Sequence, residues 1–235
     1  MPAGSPLPSR RTPCTPVVEA LPPRASSLGL RRVTTVRTFA DLAVEIHALA
    51  PRLGDVRLVT VDGPSGSGKS TFAGQMVTAL EHRGSVALVG IEGLYEGWTL
   101  DGAWQRLDEA VLEPLAAGWA GGFHPYDWAT QSWSSRWCTV PVSHVLVVEG
   151  CGSSPRTADR LTSYRIWIEA PPVVAFERGR SREGIDLDRR LRDWQRLEAE
   201  HFTEQDTRRR ADLRVNGDPT GPLPYDPSAA FTALS

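Results

Sequence analysis

The sequence predicts an α/β fold in which a parallel sheet of five strands carries helices on both faces. Short β-branched apolar runs that end at glycine or a polar residue recur along the chain and are typical of buried strands. Segments with apolar residues at helical spacing separate most of these runs. A glycine-rich segment joins the first run to a helical segment. Because strands that alternate with helices pair in parallel, these patterns together indicate a single α/β layer architecture.

The five predicted strands share the pattern of a buried apolar run, and they lie in VRLVTVDG (56–63), SVALVGIEG (85–93), SHVLVVEG (143–150), YRIWIEA (164–170) and ADLRVNG (211–217). Three helices are predicted from apolar spacing, in TFADLAVEIHALAP (38–51), STFAGQMVTALEHRG (70–84) and DGAWQRLDEAVLEPLAAG (101–118). Pro51 ends the first helix, and Pro114 is expected to disturb the third.

The length of 235 residues suits one domain. Residues 1–32 are rich in Pro, Ser and Arg without apolar periodicity, so we predict a disordered tail before a domain of residues 33–235. The net charge of −2 gives no general attraction to nucleic acid or an anionic membrane, so we expect neither partner. No apolar run has the length of a membrane span.

Three cysteines, Cys14, Cys138 and Cys151, are too few and too scattered for a disulfide framework or a metal site. We expect reduced thiols in a cytoplasmic protein, and the tail carries no apolar core of a secretory signal. The sequence leaves a homo-oligomer open.

The segment GPSGSGKS matches the P-loop pattern G-x-x-x-x-G-K-[ST], with a predicted strand before it and a predicted helix after it. Glycines let the backbone N–H groups turn toward phosphates, and the helix N-terminus adds partial positive charge. The motif predicts ATP binding by Gly63, Ser65, Gly66, Ser67, Gly68, Lys69, Ser70 and Thr71. Lys69, the only lysine of the chain, is expected to reach the β- and γ-phosphates.

A Mg²⁺ site is predicted from two polar groups. The Ser70 hydroxyl follows the P-loop lysine, and Glu149 ends the strand VLVVE at the position expected of a second acidic group. ATP and Mg²⁺ are therefore the predicted cofactors. Guanine-specificity and ABC-type signatures are absent from the sequence, and the length suits a small-molecule kinase.

The acceptor site is predicted at IEGLYEGW, which follows the second strand next to the P-loop, because ligands bind at the carboxyl ends of parallel strands. Glu92 is the candidate base for the acceptor hydroxyl. Tyr95 and Trp98 are candidates for an aromatic wall, and the alternative for both is an ordinary place in the core.

An arginine-rich segment from about residue 171 to 200 is predicted to form a lid. Arg178 and Arg182 lie on it within about one helical turn. Guanidinium groups suit phosphate oxygens, and lids exclude water from the reaction. Leu191 and Trp194 belong to an apolar stripe that would pack on the core. The alternative for the arginines is a solvated face paired with neighbouring acids.

These pieces resemble the uridine kinase family of P-loop kinases, in the order DGPSGSGKSTFA, EGLYEGW, YDW, VLVVEG, RGRSRE and ADLRVNG. The resemblance implies an ATP-dependent kinase that phosphorylates a nucleoside, such as the 5′-hydroxyl of uridine or cytidine. It places the catalytic base, which also helps to organise Mg²⁺, at Glu92. Arg178 and Arg182 match the paired lid arginines. The nucleoside contacts fall on Tyr95, Asp101, Tyr126 and Asp127, with Trp128 beside them.

The chain departs from the family pattern at Glu92, where the family has aspartate. One extra methylene moves the carboxylate by about 1.5 Å. A change of that size implies an adjusted pocket, a different acceptor or weak activity. A kinase for another small metabolite (a sugar, a vitamin or an antibiotic) and a nucleotide-binding module without turnover are therefore the alternatives.

Overall fold

The computed structural model describes residues 34–184, 187–219 and 223–235. The predicted disordered tail, residues 1–32, lies outside the described residues. The strands are β1 (Thr34–Thr38), β2 (Arg57–Asp62), β3 (Val86–Gly90), β4 (Gly121–Phe123), β5 (Tyr126–Asp127), β6 (Ser132–Trp133), β7 (Cys138–Val140), β8 (Val145–Glu149), β9 (Thr162–Glu169), β10 (Leu213–Asn216) and β11 (Ala230–Leu234).

The α-helices are α1 (Phe39–Ala48), α2 (Lys69–Glu81), α3 (Ala103–Leu107), α4 (Glu113–Ala116), α5 (Pro172–Glu183), α6 (Asp188–Gln205) and α7 (Thr207–Arg210). A π-helical turn, Asp108–Leu112, joins α3 to α4, and 3₁₀ turns lie at Ile91–Leu94 and Arg156–Ala158. Pro114 occupies the first turn of α4, where its missing N–H costs little. The predicted third helix is therefore interrupted by a π turn that ends two residues before Pro114.

Within the described ranges, the central sheet has seven strands in the order β1-β11-β10-β9-β2-β8-β3. The strands from β10 to β3 are mutually parallel and coincide with the five predicted strands. The predicted count of five is too low, because β11 and β1 extend the sheet in antiparallel pairing. β3 pairs with β8 and not with β2, so the segment containing Glu92 lies two strands from the P-loop strand.

Helices cover both faces of the sheet, as predicted. One apolar cluster joins α1 and α2 to the sheet through residues such as Leu42, Phe72 and Met76. The other contains Leu107 and Leu112 from the α3–α4 region and Trp194 from α6. Both clusters are buried, so apolar side chains pack against each face of the parallel strands.

No helix in the described part of the chain is long and apolar enough to cross a membrane. Among the described residues, two short antiparallel strand pairs lie outside the central sheet, β4 with β7 and β5 with β6. The β5–β6 pair brings the Tyr126 ring against the Trp133 ring.

Candidate active site

The P-loop, Gly63 to Ser70, connects β2 to α2 at the carboxyl edge of the sheet. All three of its glycines have positive φ, 146° at Gly63, 78° at Gly66 and 100° at Gly68. A Cβ at Gly66 would lie 2.1 Å from the Ala175 carbonyl oxygen of α5. Only glycine therefore satisfies both the turn and the close approach of the loop to α5.

Lys69 begins α2 and is only 5% exposed. Its Nζ donates a hydrogen bond of 2.9 Å to the Pro64 carbonyl oxygen, across the loop. Its positive charge lowers the pKa of three neighbouring acids, Asp62, Glu149 and Glu198, in opposition to their burial. The ammonium group thus bonds across the loop to Pro64, and its contact with the β- and γ-phosphates stays a prediction.

Asp62, the last residue of β2, is completely buried and was not identified from the sequence. Its Oδ1 accepts the backbone N–H groups of Gly63 (2.7 Å) and Gly152 (3.0 Å), and its Oδ2 accepts that of Ser154 (2.9 Å). Burial raises the pKa of Asp62 to about 6, although these hydrogen bonds and Lys69 oppose the shift. Asp62 therefore joins the P-loop to the loop after β8. The sequence signal that could have identified Asp62 is an acidic residue directly before the first glycine of the P-loop.

Ser70 and Glu149 form the candidate Mg²⁺ site. Because β8 lies next to β2, Glu149 ends beside the start of α2, and its carboxylate accepts the Ser70 hydroxyl at 3.1 and 3.2 Å. Burial raises the pKa of Glu149, the negative charge of Glu92 adds to this, and Lys69 opposes it. Mg²⁺ takes one or two protein oxygens and completes its shell with water and phosphate, so this pair fits the ion.

A cavity of about 180 Å³, here called the phosphate cavity, lies over the P-loop. Its lining combines P-loop residues, among them Gly66, Gly68, Lys69, Ser70 and Thr71, with the predicted base and lid arginines. Glu92, Arg178 and Arg182 come from different parts of the chain and meet there. Ser67, also in the loop, is buried, and its N–H donates to the Pro64 carbonyl oxygen.

Arg178 and Arg182 lie four residues apart on α5, on the same side of the helix. Arg178 donates to the carbonyl oxygen of Gly217 at 2.8 Å and pairs with Asp218 at 2.7 Å. Arg182 approaches the Ser65 hydroxyl at 3.4 Å. Arg180 faces away and pairs with Asp188 at 3.0 Å. α5 therefore directs two cations at the phosphate cavity, and closure of the predicted lid stays a prediction.

A second cavity of about 300 Å³, the inner cavity, adjoins the first and shares Ser65, Glu92 and Arg182 with it. Its remaining lining is aromatic and consists of Tyr95, Trp98, Trp128 and Trp194. Trp98 lies edge to face with both Trp128 and Trp194, with ring centroids 5.6 and 5.8 Å apart. The polar groups of this cavity are thus concentrated at its phosphate end.

Tyr95 belongs both to the core and to the wall of the inner cavity, the two alternatives that the sequence left open. It is buried, and its hydroxyl donates a 2.6 Å hydrogen bond to the Cys151 carbonyl oxygen. Burial raises the pKa of the Tyr95 hydroxyl well above its usual range. The ring lines the inner cavity, while the hydroxyl is committed to the backbone.

A larger cavity of about 690 Å³, the outer cavity, continues past Trp98, Trp128 and Trp194. Tyr126 lines it, as do Gln131, Arg190 and Asp193, which sequence reasoning missed as site residues. Gln131 has a φ of 52°, which a residue with a side chain adopts at a cost of about 1 kcal/mol or more. Such strain is typical of functional sites.

Asp101 and Asp127 were predicted at the acceptor site through the family resemblance. Asp101 is exposed on the turn before α3 and does not belong to the lining of the phosphate, inner or outer cavity. The Asp127 carboxylate accepts the N–H groups of Ala129 (2.9 Å) and Thr130 (3.2 Å), which lowers the pKa of Asp127. Its contacts support the turn between β5 and β6.

A further cavity of about 340 Å³ also borders the P-loop, at Gly68 and Thr71. Phe72, Asn216, Gly217 and Tyr225 also line it, together with the Arg178 side chain. It combines apolar rings with backbone and amide polar groups, which is the usual composition of a small-molecule site.

No family model and no curated protein matches the chain at the sequence level. Solved structures do match it. A "possible uridine kinase" from Bacillus stearothermophilus is 21% identical, with a TM-score of 0.56, over 75% of this chain and 96% of its own. A "putative fructose transport system kinase" from Silicibacter sp. TM1040 is 18% identical, with a TM-score of 0.50, over 70% and 95%.

These matches confirm the resemblance in fold that the sequence predicted: the chain has the α/β fold of P-loop kinase-like structures. At these identities the likeness concerns the fold. What the chain acts on has to be argued from its own site.

Proposed function

We propose that the protein is an ATP-dependent kinase that transfers the γ-phosphate to a hydroxyl group of a nucleoside-like acceptor. One observation carries the proposal. The phosphate cavity and the inner cavity meet at Ser65, Glu92 and Arg182, which line both. A phosphate-binding loop, a carboxylate and a cation therefore lie where an acceptor hydroxyl would meet a terminal phosphate.

In the proposed reaction, the acceptor hydroxyl oxygen forms a bond to the γ-phosphorus, and the bond between that phosphorus and the β–γ bridging oxygen breaks. Glu92 takes the hydroxyl proton, and ADP leaves. Lys69, Arg178 and Arg182 stabilise the negative charge of the transferred group. Ser70 and Glu149 would hold Mg²⁺, whose chemical contribution is to neutralise charge on the phosphate oxygens.

The outer cavity supports a nucleoside as acceptor. Aromatic rings suit the faces of a flat base, and the Gln131 amide both donates and accepts hydrogen bonds, as the edge of a pyrimidine requires. A ribose would then lie in the inner cavity with its 5′-hydroxyl at Glu92. The adenine of ATP is assigned to the cavity beside Thr71 and Tyr225.

The second candidate is a kinase of the same fold for a sugar or another small metabolite. The inner cavity favours it, because tryptophan rings line its walls and its polar groups lie only at the phosphate end. A sugar ring offers C–H groups to such walls, and Glu92 in place of the family's aspartate fits a changed acceptor. A nucleotide-binding module without turnover is the third candidate function.

Two substitutions test the assigned roles. Lys69→Ala and Glu92→Gln are both expected to abolish transfer, but only Lys69→Ala should strongly weaken ATP binding, because Glu92 acts on the acceptor. Calorimetric titration with Mg²⁺–ATP and an assay of ADP release measure the two effects separately. A Glu92→Gln variant with full activity would show that Glu92 is not the base.

A further inference from the structure

Glu198 is a buried acid next to the P-loop that the reaction above does not use. It lies on α6 and is 1% exposed. Both of its carboxylate oxygens accept the backbone N–H of Ser65, at 2.9 and 3.2 Å. Ser65 lines both the phosphate cavity and the inner cavity. A side chain of α6 therefore holds the P-loop at the point where the two cavities meet.

The surroundings of Glu198 compensate a buried negative charge. Burial raises its pKa, while Lys69, the Ser65 N–H and side-chain hydrogen bonds with Cys151 and Trp194 oppose the shift. A buried carboxylate is expensive unless it is paired and hydrogen-bonded. It also repels the phosphates that the loop would bind. Its presence there is explained if its hydrogen bond to the loop outweighs this cost.

The same face of α6 forms the wall of the acceptor site. Trp194 lies four residues before Glu198, one helical turn away, and it lines both the inner and the outer cavity. Its ring also contacts Tyr95, with centroids 5.5 Å apart. One rigid helix thus carries an acceptor-contacting ring and the carboxylate that holds the phosphate-binding loop.

We propose that Glu198 is a positioning residue that fixes the P-loop at Ser65 to the Trp194 wall of the acceptor site, so that nucleotide binding and acceptor binding are coupled. The role of the wall in acceptor binding rests on the proposed kinase function. The anchoring of the loop rests on the Ser65 hydrogen bond alone. This role requires that a side-chain oxygen reach the Ser65 N–H. It does not require a negative charge.

Three substitutions separate reach from charge. Glu198→Gln keeps an oxygen that accepts the Ser65 N–H and removes the charge. Glu198→Asp keeps the charge but withdraws the oxygens by one methylene, and Glu198→Ala removes both. Glu200→Ala is the matched control, since Glu200 is an exposed glutamate on the same helix.

The experiment is a calorimetric titration of each variant with Mg²⁺ and the non-hydrolysable ATP analogue AMPPNP. We expect Glu198→Gln and Glu200→Ala to bind within threefold of the unchanged protein, and Glu198→Asp and Glu198→Ala to bind about tenfold more weakly. If Gln and Ala weaken binding equally, or if Ala binds like the control, the anchoring role is wrong. Because Gln and Asp are small changes, at least one informative variant is expected to fold, which circular dichroism checks.

Coupling to the acceptor wall has its own readout. AMPPNP binding should change the tryptophan fluorescence of the unchanged protein and of Glu198→Gln, and this change should be smaller in Trp194→Phe and in Glu198→Ala. A change that is the same in Glu198→Ala as in the unchanged protein would contradict the coupling. If the variants show the expected ranking of AMPPNP affinities while the protein phosphorylates no acceptor, that result would support the anchoring role of Glu198 and contradict the kinase proposal. Phosphorylation of an acceptor without this ranking of affinities would contradict the anchoring role alone.

Discussion

The buried acid Asp62 predicts an unusual dependence of stability on pH. Its pKa is about 6 in the folded protein and 3.8 in an ordinary exposed aspartate. A raised folded pKa means that the folded state holds the proton more tightly than the unfolded state, so Asp62 stabilises the fold below pH 3.8 and loses this contribution as the pH rises through 6. A difference of about 2 pKa units corresponds to about 3 kcal/mol.

The assay is urea unfolding of the unchanged protein and of Asp62→Asn at several pH values between 4 and 7. The asparagine variant does not titrate, so subtracting its free energy of unfolding removes the contribution of the other groups. About 2 kcal/mol of the full effect falls within this range, and the difference should decrease by that amount as the pH rises. A difference that stays constant with pH would refute the buried, proton-retaining state of Asp62.

Two further predictions concern single side chains. Tyr95→Phe should lower the free energy of unfolding by about 1–3 kcal/mol, because the buried Cys151 carbonyl loses its donor. Urea unfolding measures this change, with the dependence of the free energy on urea concentration unchanged. An unchanged free energy would contradict that hydrogen bond. Arg182→Ala should reduce the turnover number about a hundredfold, whereas Arg180→Ala, whose side chain pairs with Asp188 away from the cavity, should stay within a few fold. Equal losses in the two variants would contradict the separation of these arginines across α5.

The parallel part of the sheet and the P-loop could be predicted from the sequence, because both depend on local patterns. Buried parallel strands leave uninterrupted apolar runs such as VLVV in β8, and the loop requires glycines at fixed spacing. The antiparallel strands β1 and β11 were missed. β1 reads TTVRT and lies mostly exposed at the sheet edge, so it carries no such apolar run.

The acceptor side of the site was predictable only in part. Glu92 follows a strand end, and Arg178 and Arg182 have a helical spacing, so local patterns made them candidates, and all three line the phosphate cavity. Glu198 looks like any other acid in a charged helix, and its burial depends on how α6 packs against the P-loop. Gln131 gives no signal in the sequence, since its position depends on the β5–β6 turn.

The central claim, that the site transfers phosphate to a small hydroxyl acceptor, is tested most directly by ADP release with Mg²⁺–ATP across a panel of acceptors. The panel should contain uridine, cytidine, fructose and further sugars, with Lys69→Ala as the inactive control. We expect release that depends on the acceptor and is greatest with a pyrimidine nucleoside. Stimulation only by a sugar would move the assignment to the second candidate. Tight binding of ATP without acceptor-dependent release across the panel would contradict the account.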